Sequence, residues 1–265
     1  MLADRDAFCR PPYNATMAWI EEQRDGVRVW MPEDVPSGVT IAFSGRGHAP
    51  DGDATPTAFL ARRFSRALDL PAIPIHWARQ VHGTSAATVR EPALPDESRS
   101  AGECDVLATD QAGIALVVQT ADCVPILLSA PGAVGAAHAG WRGSAANVAG
   151  AAVAAVRALG AATETLRAWL GPSIGPCCYE VGGDVAAQFA GNFVRASCGG
   201  GFRLDLRGVN VAQLEAAGVP SEAITVHPAC TKCGGENFAS YRRDGEKAGR
   251  MIGLVTRLQA GVRSA

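Results

Sequence analysis

Three side chains in this sequence have the types needed to grip a soft divalent metal or to build a nucleophile: His82, Cys123 and His138. Each begins or ends an apolar stretch beside glycine or turn residues, where strands deliver side chains to a common rim. Two imidazoles and a thiolate are a recognised zinc ligand set, and three protein ligands leave a fourth position open, as catalytic zinc sites do. Taken singly, each residue also has a plainer reading. A buried cysteine behaves as a small hydrophobe, and a histidine bonds a carbonyl. Asp122, next to Cys123, suits a general base or a carboxylate behind the site; capping a strand start is the competing view.

The elements that must position these groups are legible between Thr120 and Gly143. Two apolar strands, Cys123–Ser129 and Ala133–His138, flank the turn Ala130-Pro131-Gly132, so the hairpin brings thiol and imidazole ends side by side. Gly140-Trp141-Arg142-Gly143 follows, with Ser144 as the expected N-cap of a helix whose face runs Val148, Ala152, Val156 and Leu159 before Gly160. Backbone N–H groups at that helix start, with Arg142 beside them, suit an anion.

Elsewhere the patterning predicts a short helix at Met17–Arg24, strands at Val27–Met31, Val39–Ser44 and Ile75–Gln80, and a helix over Thr57–Leu70. Pro92–Gly102 reads as a surface loop, Leu166–Leu170 as a buried strand, Asp184–Ala190 and Val209–Ala217 as helices, and Glu246–Leu258 as a closing helix. No repeat or linker breaks the chain, which reads as one α/β domain with a mixed, largely β core.

Two further constellations stand out. Cys230-Thr231-Lys232-Cys233 is a C-x-x-C for which only Cys177-Cys178 and His227 could complete a structural zinc site. Gly234-Gly235 opposes the helix a thioredoxin-like motif needs, so these read as loop cysteines lining or bracing the site. Ser240-Tyr241-Arg242-Arg243-Asp244 sets two guanidinium groups beside an aromatic ring, suited to phosphate or base stacking, or else forms a solvated turn with an internal ion pair.

Composition narrows the class. The 265 residues are 48% hydrophobic and 19% charged with a formal net charge of −2, ordinary for a globular protein and no footprint for nucleic acid or an anionic membrane. No apolar run is long enough to span a bilayer and the N-terminus is not a secretory signal, so eight cysteines imply a reducing, cytoplasmic setting.

Five motifs in one order carry a resemblance: Gln80-Val81-His82-Gly83-Thr84, Thr120-Ala121-Asp122-Cys123, Ala137–Gly143, Gly171–Gly182 and Ser240–Asp244. Together they resemble the YfiH-type laccase-domain family, also called the polyphenol oxidase or purine nucleoside phosphorylase family, from about Trp30 to Leu258. The resemblance implies an α/β fold of layered mixed β-sheets with flanking helices, related to the deamidase domain of cytotoxic necrotizing factor toxins. It makes residues 1–29 an N-terminal extension to a domain at 30–265. It implies zinc on His82, Cys123 and His138. The residues' own chemistry then assigns catalysis to Cys123, His138 and Asp122, and substrate or phosphate binding to Arg142, Arg242, Arg243 and Gln80. The glycine-rich segment at Ser44–Asp53 is shorter than the family's.

The activity so implied is phosphorolysis of adenosine, inosine and methylthioadenosine, with adenosine deamination; a Cys–His amide hydrolase or peptidoglycan-precursor editing is the alternative. The expected partners are a nucleoside and phosphate, with no nucleic acid, membrane or protein partner. The laccase name sits poorly with five histidines, too few for a type-1 copper centre plus a histidine-rich cluster, although copper could occupy the trio adventitiously. A purely binding or metal-sensing role is disfavoured, because polar residues on strand ends point inward rather than forming an exposed apolar face.

Overall fold

Strands that are apolar at every position need cover on both faces, and this requirement sets the architecture. The structure is a computed structural model describing residues 19–50, 56–70, 72–90, 97–197 and 199–258. One sheet runs β1 (Trp19–Arg24), β2 (Val27–Pro32), β3 (Val39–Ser44), β16 (Met251–Arg257), β8 (Ala115–Thr120), β4 (Ile75–Arg79) and β6 (Ser98–Glu103). A second runs β15 (Ile224–Val226), β11 (Arg167–Leu170), β9 (Val124–Ala130), β10 (Ala133–Ala139), β7 (Val106–Thr109) and β5 (Ala86–Thr88). A small third sheet joins β12 (Glu180–Val181), β14 (Phe202–Leu204) and β13 (Val194–Ala196). The helices are α1 (Pro56–Ala67), α2 (Trp141–Ala145), α3 (Val148–Arg157), α4 (Gly183–Ala186), α5 (Leu206–Ala216) and α6 (Tyr241–Asp244).

The two large sheets pack face to face. Ile41, Phe43, Leu116 and Val255 of the first meet Leu107, Leu127, Val134 and Trp169 of the second. The alternate residues of β9 (Val124, Ile126, Leu128) point the other way, onto Val148, Ala152 and Val156 of α3 and Leu206 and Val209 of α5. On the far side Leu60, Ala61 and Phe64 of α1 cover Ala115 and Val117 of β8 and Ile252 and Leu254 of β16. Four layers result, helix–sheet–sheet–helix, a mixed α/β fold with layered sheets as expected. Burying Phe64 fully contributes on the order of 2–3 kcal/mol to holding α1 down.

The central hairpin forms as expected, with Pro125 opposite His138 and Val124 opposite Ala139. Three local expectations are overturned. Residues 246–258 do not close the chain as a helix: β16 is an inner strand between β3 and β8. Met251, Leu254, Val255 and Leu258 fit a helical stripe, but Ile252 is buried too, and a segment buried on both faces satisfies either period. The segment Trp19–Arg24 is a strand rather than part of a helix, turned back by Asp25-Gly26, whose φ values of 47° and 70° suit a two-residue primed turn. Part of the loop read at 92–102 is the polar edge strand β6, parallel to β4; residues 91–96 lie outside the described residues.

Residues 19–29, set in the N-terminal extension by sequence, form β1 and the start of β2 and pair into the large sheet through Val29 and Trp30 opposite Ser44 and Phe43. Residues 1–18 lie outside the described residues. Among the described residues no helix is long and apolar enough to cross a membrane.

Candidate metal centre and cleft

His82, Cys123 and His138 converge. One ligand atom from each lies within 4.8 Å of the others, Cys123 Sγ is 3.9 Å from His82 Nε2, and the two imidazole rings stand edge to face at 4.7 Å. A tetrahedral zinc with bonds near 2.0 Å to nitrogen and 2.3 Å to sulfur separates N and S ligands by about 3.6 Å, so the trio needs only a small adjustment to share one ion.

The residue that builds this geometry is Asp105, which sequence reasoning did not single out. It is 2% exposed at the mouth of β7. Its carboxylate accepts the backbone N–H groups of Val81 (3.2 Å), His82 (3.0 Å) and Gly83 (2.7 Å), and the ring Nδ1–H of His138 at 2.9 Å. Three consecutive N–H groups can converge because His82 adopts φ 61°, a left-handed conformation that needs such support. One buried anion therefore folds the His82 turn and fixes the His138 tautomer, leaving His138 Nε2 for the ion. Glycine completes the fit: a Cβ on Gly140 would lie 2.5 Å from His82 Cδ2 and 3.2 Å from Cys123 Sγ, and one on Gly143 would lie 2.9 Å from the Gly83 carbonyl.

The charges are coupled. Burial alone would raise the Cys123 thiol, but His138, by charge and hydrogen bond, and then His82 bring it down to about 6. Burial alone would discharge His138, yet the Cys123 sulfur and the Asp105 carboxylate raise it to about 9. Asp105 also resists burial and titrates below its usual range because of its His138 and backbone bonds. Near neutral pH the metal-free site holds a thiolate against an imidazolium.

These groups form part of the wall of a cleft of about 450 Å³, bordered also by Trp141, Tyr179, Tyr241, Arg242 and Arg250. Gln80 and Asp122 border it too, but with their polar atoms engaged. The Gln80 amide makes a reciprocal pair with the Gln119 backbone, both bonds at 2.8 Å, so its expected substrate role gives way to bracing β8. Asp122 accepts from the Thr231 hydroxyl (2.6 Å) and the Arg242 N–H (2.7 Å), which makes it a tie between loops rather than a free general base.

The arginines separate. Arg242 lies over the Tyr179 ring at 4.9 Å and borders the cleft, donating one N–H to the Glu180 carbonyl. Arg243 turns inward: its guanidinium donates to the carbonyls of Thr231, Lys232, Gly235 and Phe238 and pairs with Asp244, so no fork is left for phosphate. Arg142 stacks on Trp141 at 4.2 Å, outside the residues bordering the cleft. The expected helix-start anion cradle does not form, since α2 is a five-residue turn and the long helix α3 begins at Val148, capped by Asn147 with φ 66°. Ser144 lies inside α2 and accepts from Asn210 instead.

The family model described as multi-copper polyphenol oxidoreductase laccase matches residues 51–258. The chain belongs to that family. Among relatives of this laccase family, a purine nucleoside phosphorylase of Xylella fastidiosa is 39% identical over 203 residues, covering 73% of this chain and 75% of that protein. The adenosine deaminase RL5 of an unknown prokaryotic organism is 40% identical over 185 residues, covering 65% and 71%. The crystal structure of YlmD from Geobacillus stearothermophilus superposes with a TM-score of 0.77 at 31% identity, over 91% of this chain and 100% of that one. The copper in the family's description finds no histidine-rich cluster among the described residues. His48 sits beside Arg46, His76 lies in β4, and His227 is packed against Trp19 and Trp30.

Proposed function

We propose that this protein is a zinc-dependent purine nucleoside phosphorylase acting on adenosine, inosine and methylthioadenosine, with accessory adenosine deamination. The observation that carries the reading is the convergence of two imidazoles and a thiolate on an open cleft, with Asp105 fixing one imidazole from behind. The phosphorylase and deaminase names of the relatives support it. Zinc held by His82, Cys123 and His138 would supply Lewis-acid activation of an oxygen in the cleft.

The chain's own residues do the rest. Trp141 and Tyr241 offer aromatic surface to a purine, and Arg242 and Arg250 supply positive charge for phosphate. A phosphate oxygen attacks the anomeric carbon, the bond to the purine nitrogen breaks, and the departing base takes up a proton. Burial holds the Tyr179 phenol up at about 12, with the Cys123 sulfur adding to the effect, so its O–H stays protonated as a donor beside the base. The free thiols of the described cysteines support the cytoplasmic setting that goes with this reading, in which a nucleoside and phosphate are the partners. Incubation with adenosine and phosphate should give adenine and ribose 1-phosphate, or inosine and ammonia where water attacks the amino-bearing carbon of the purine instead; unchanged nucleoside at full zinc loading would overturn the proposal.

One observation favours a second reading. Cys123, His138 and Asp105 also have the donor order of a nucleophile, a base and its orienter, suited to an amide hydrolase such as the toxin deamidases or a peptidoglycan-precursor editing enzyme. Activity that survives chelation and is abolished by iodoacetamide would select it.

A further inference from the structure

Outside the cleft, four thiols gather from two distant segments. Cys177 and Cys178 leave the turn after β11, Cys230 and Cys233 leave the loop after β15, and one sulfur from each lies within 4.8 Å of the others. The sequence reads Cys230 and Cys233 as loop cysteines lining or bracing the cleft, with Cys177, Cys178 and His227 as the candidates to complete a metal site; the structure gathers the four cysteines and leaves His227 out. We propose that this quartet is a second, structural metal site that takes zinc as a closed tetrathiolate, independent of the phosphorylase reading.

The geometry fits that ion. Zinc–sulfur bonds near 2.3 Å in a tetrahedron place the sulfurs about 3.8 Å apart. Cys177 Sγ and Cys233 Sγ are 3.8 Å apart, well beyond a disulfide bond and at the tetrahedral edge. The surroundings are built for thiolate. The Gly175 N–H donates to Cys230 Sγ at 3.2 Å, and a Cβ on Gly175 would crowd Cys177 Sγ and Cys230 Cβ, both at 3.2 Å. Gly234 closes the C-x-x-C turn, its N–H bonding the Cys230 carbonyl at 2.7 Å where a Cβ would lie 2.5 Å from that oxygen. Thiolate ligands select zinc over the hard cations magnesium and calcium.

Both cysteine-bearing segments are already held in register. The buried Arg207 guanidinium donates to the Ser173 hydroxyl (2.8 Å) and carbonyl and to the carbonyls of His227 (3.1 Å), Pro228 (3.1 Å) and Ala229 (2.5 Å). Ser173 and Cys230 form a parallel bridge. The site also braces the cleft. Thr231, between the two loop thiols, bonds the Asp122 carboxylate, and the Ile174 N–H bonds the Asp122 carbonyl at 2.9 Å, one residue from Cys123. A four-thiolate site leaves no open position, so its role is to fix these loops.

The test counts metal. Wild-type protein purified in zinc and reductant should hold two zinc ions per chain, measured by elemental analysis against protein and by native mass spectrometry. C230S/C233S should hold one, and H82A/H138A should also hold one. If the cleft trio binds nothing, the wild type holds one ion that C230S/C233S loses and H82A/H138A keeps, so the two readings fail separately. Wild type alone gives a second readout in case the serine variant misfolds: iodoacetamide should spare Cys177, Cys178, Cys230 and Cys233 until a chelator is added. Labelling of the quartet at equal rates with and without zinc overturns the proposal, as does recovery of a Cys177–Cys233 disulfide from zinc-treated native protein.

Discussion

Asp105→Asn tests the centre most directly, because the side chain keeps its shape and loses only charge and one acceptor. Each carboxylate oxygen of Asp105 accepts two donors: Oδ1 takes His82 N–H and His138 Nδ1–H, and Oδ2 takes Val81 N–H and Gly83 N–H. An asparagine must place its NH2 at one of these positions. At the Oδ2 place it meets two backbone donors and the His82 turn opens. At the Oδ1 place it meets His82 N–H and either repels His138 Nδ1–H or forces the other tautomer, which protonates Nε2 and removes it as a ligand. Either way two bonds to a buried charge are lost, each of about 1.5–3 kcal/mol. The expected destabilisation is about 3 kcal/mol or more, which for a chain of this size lowers Tm by roughly 6–12 °C.

Zinc affinity should fall about 10- to 100-fold, the usual consequence of losing a carboxylate behind a histidine ligand. The assay is competition with a chromophoric chelator, run beside calorimetry of the metal-free protein so that stability and affinity are read separately. A metal-free D105N that melts with the wild type, or one that binds zinc as tightly, refutes this account of the site.

Gly140→Ala should leave the melting temperature within a few degrees but displace His82, whose Cδ2 would lie 2.5 Å from the new Cβ, lowering kcat by about 100-fold. Arg243→Ala should lower stability by about 2–3 kcal/mol in urea titration, since its guanidinium bonds four loop carbonyls. Arg242→Ala should instead raise KM about tenfold with little change in melting, because that side chain borders the cleft. Burial, with Arg207 adding to it, depresses His227 to about 3, so the folded protein binds this proton less readily than the unfolded chain. Its contribution is complete above the ordinary pKa near 6.5 and is lost as pH falls toward about 3, the loss reaching about 3 kcal/mol at pH 4. His227→Phe should flatten the pH dependence of denaturation in that window; an unchanged slope would refute this.

The hairpin that carries Cys123 and His138 was legible because β9 and β10, covered on both faces, write themselves as unbroken apolar runs that end in a thiol and an imidazole. The same property hid β16, where burial on both faces erases the period that separates strand from helix. Asp25-Gly26 is a readable hairpin signal set inside a stretch whose charges fit a helix equally well. Asp105 had a fainter one, a lone acid between Cys104 and the apolar run of β7, but its partners lie 22 to 33 positions away and no spacing rule connects them. Arg242 and Arg243, adjacent and alike in type, take opposite roles because α6 sends one over Tyr179 and the other into its own loop.

The choice between metal ligand and nucleophile turns on His82. A thiol, a base and an orienting carboxylate are complete with Cys123, His138 and Asp105; a second imidazole on the sulfur adds nothing to a triad. Yet the chain holds His82 at φ 61°, a conformation that costs roughly 1–2 kcal/mol for a residue with a Cβ, and supports it with three N–H bonds to a buried carboxylate. It also keeps the position facing that ring free of any side chain at Gly140. Strain maintained by this much surrounding structure marks the imidazole as a working part. A fixed pair of imidazoles on one thiolate suits a metal ion better than it suits a cysteine nucleophile.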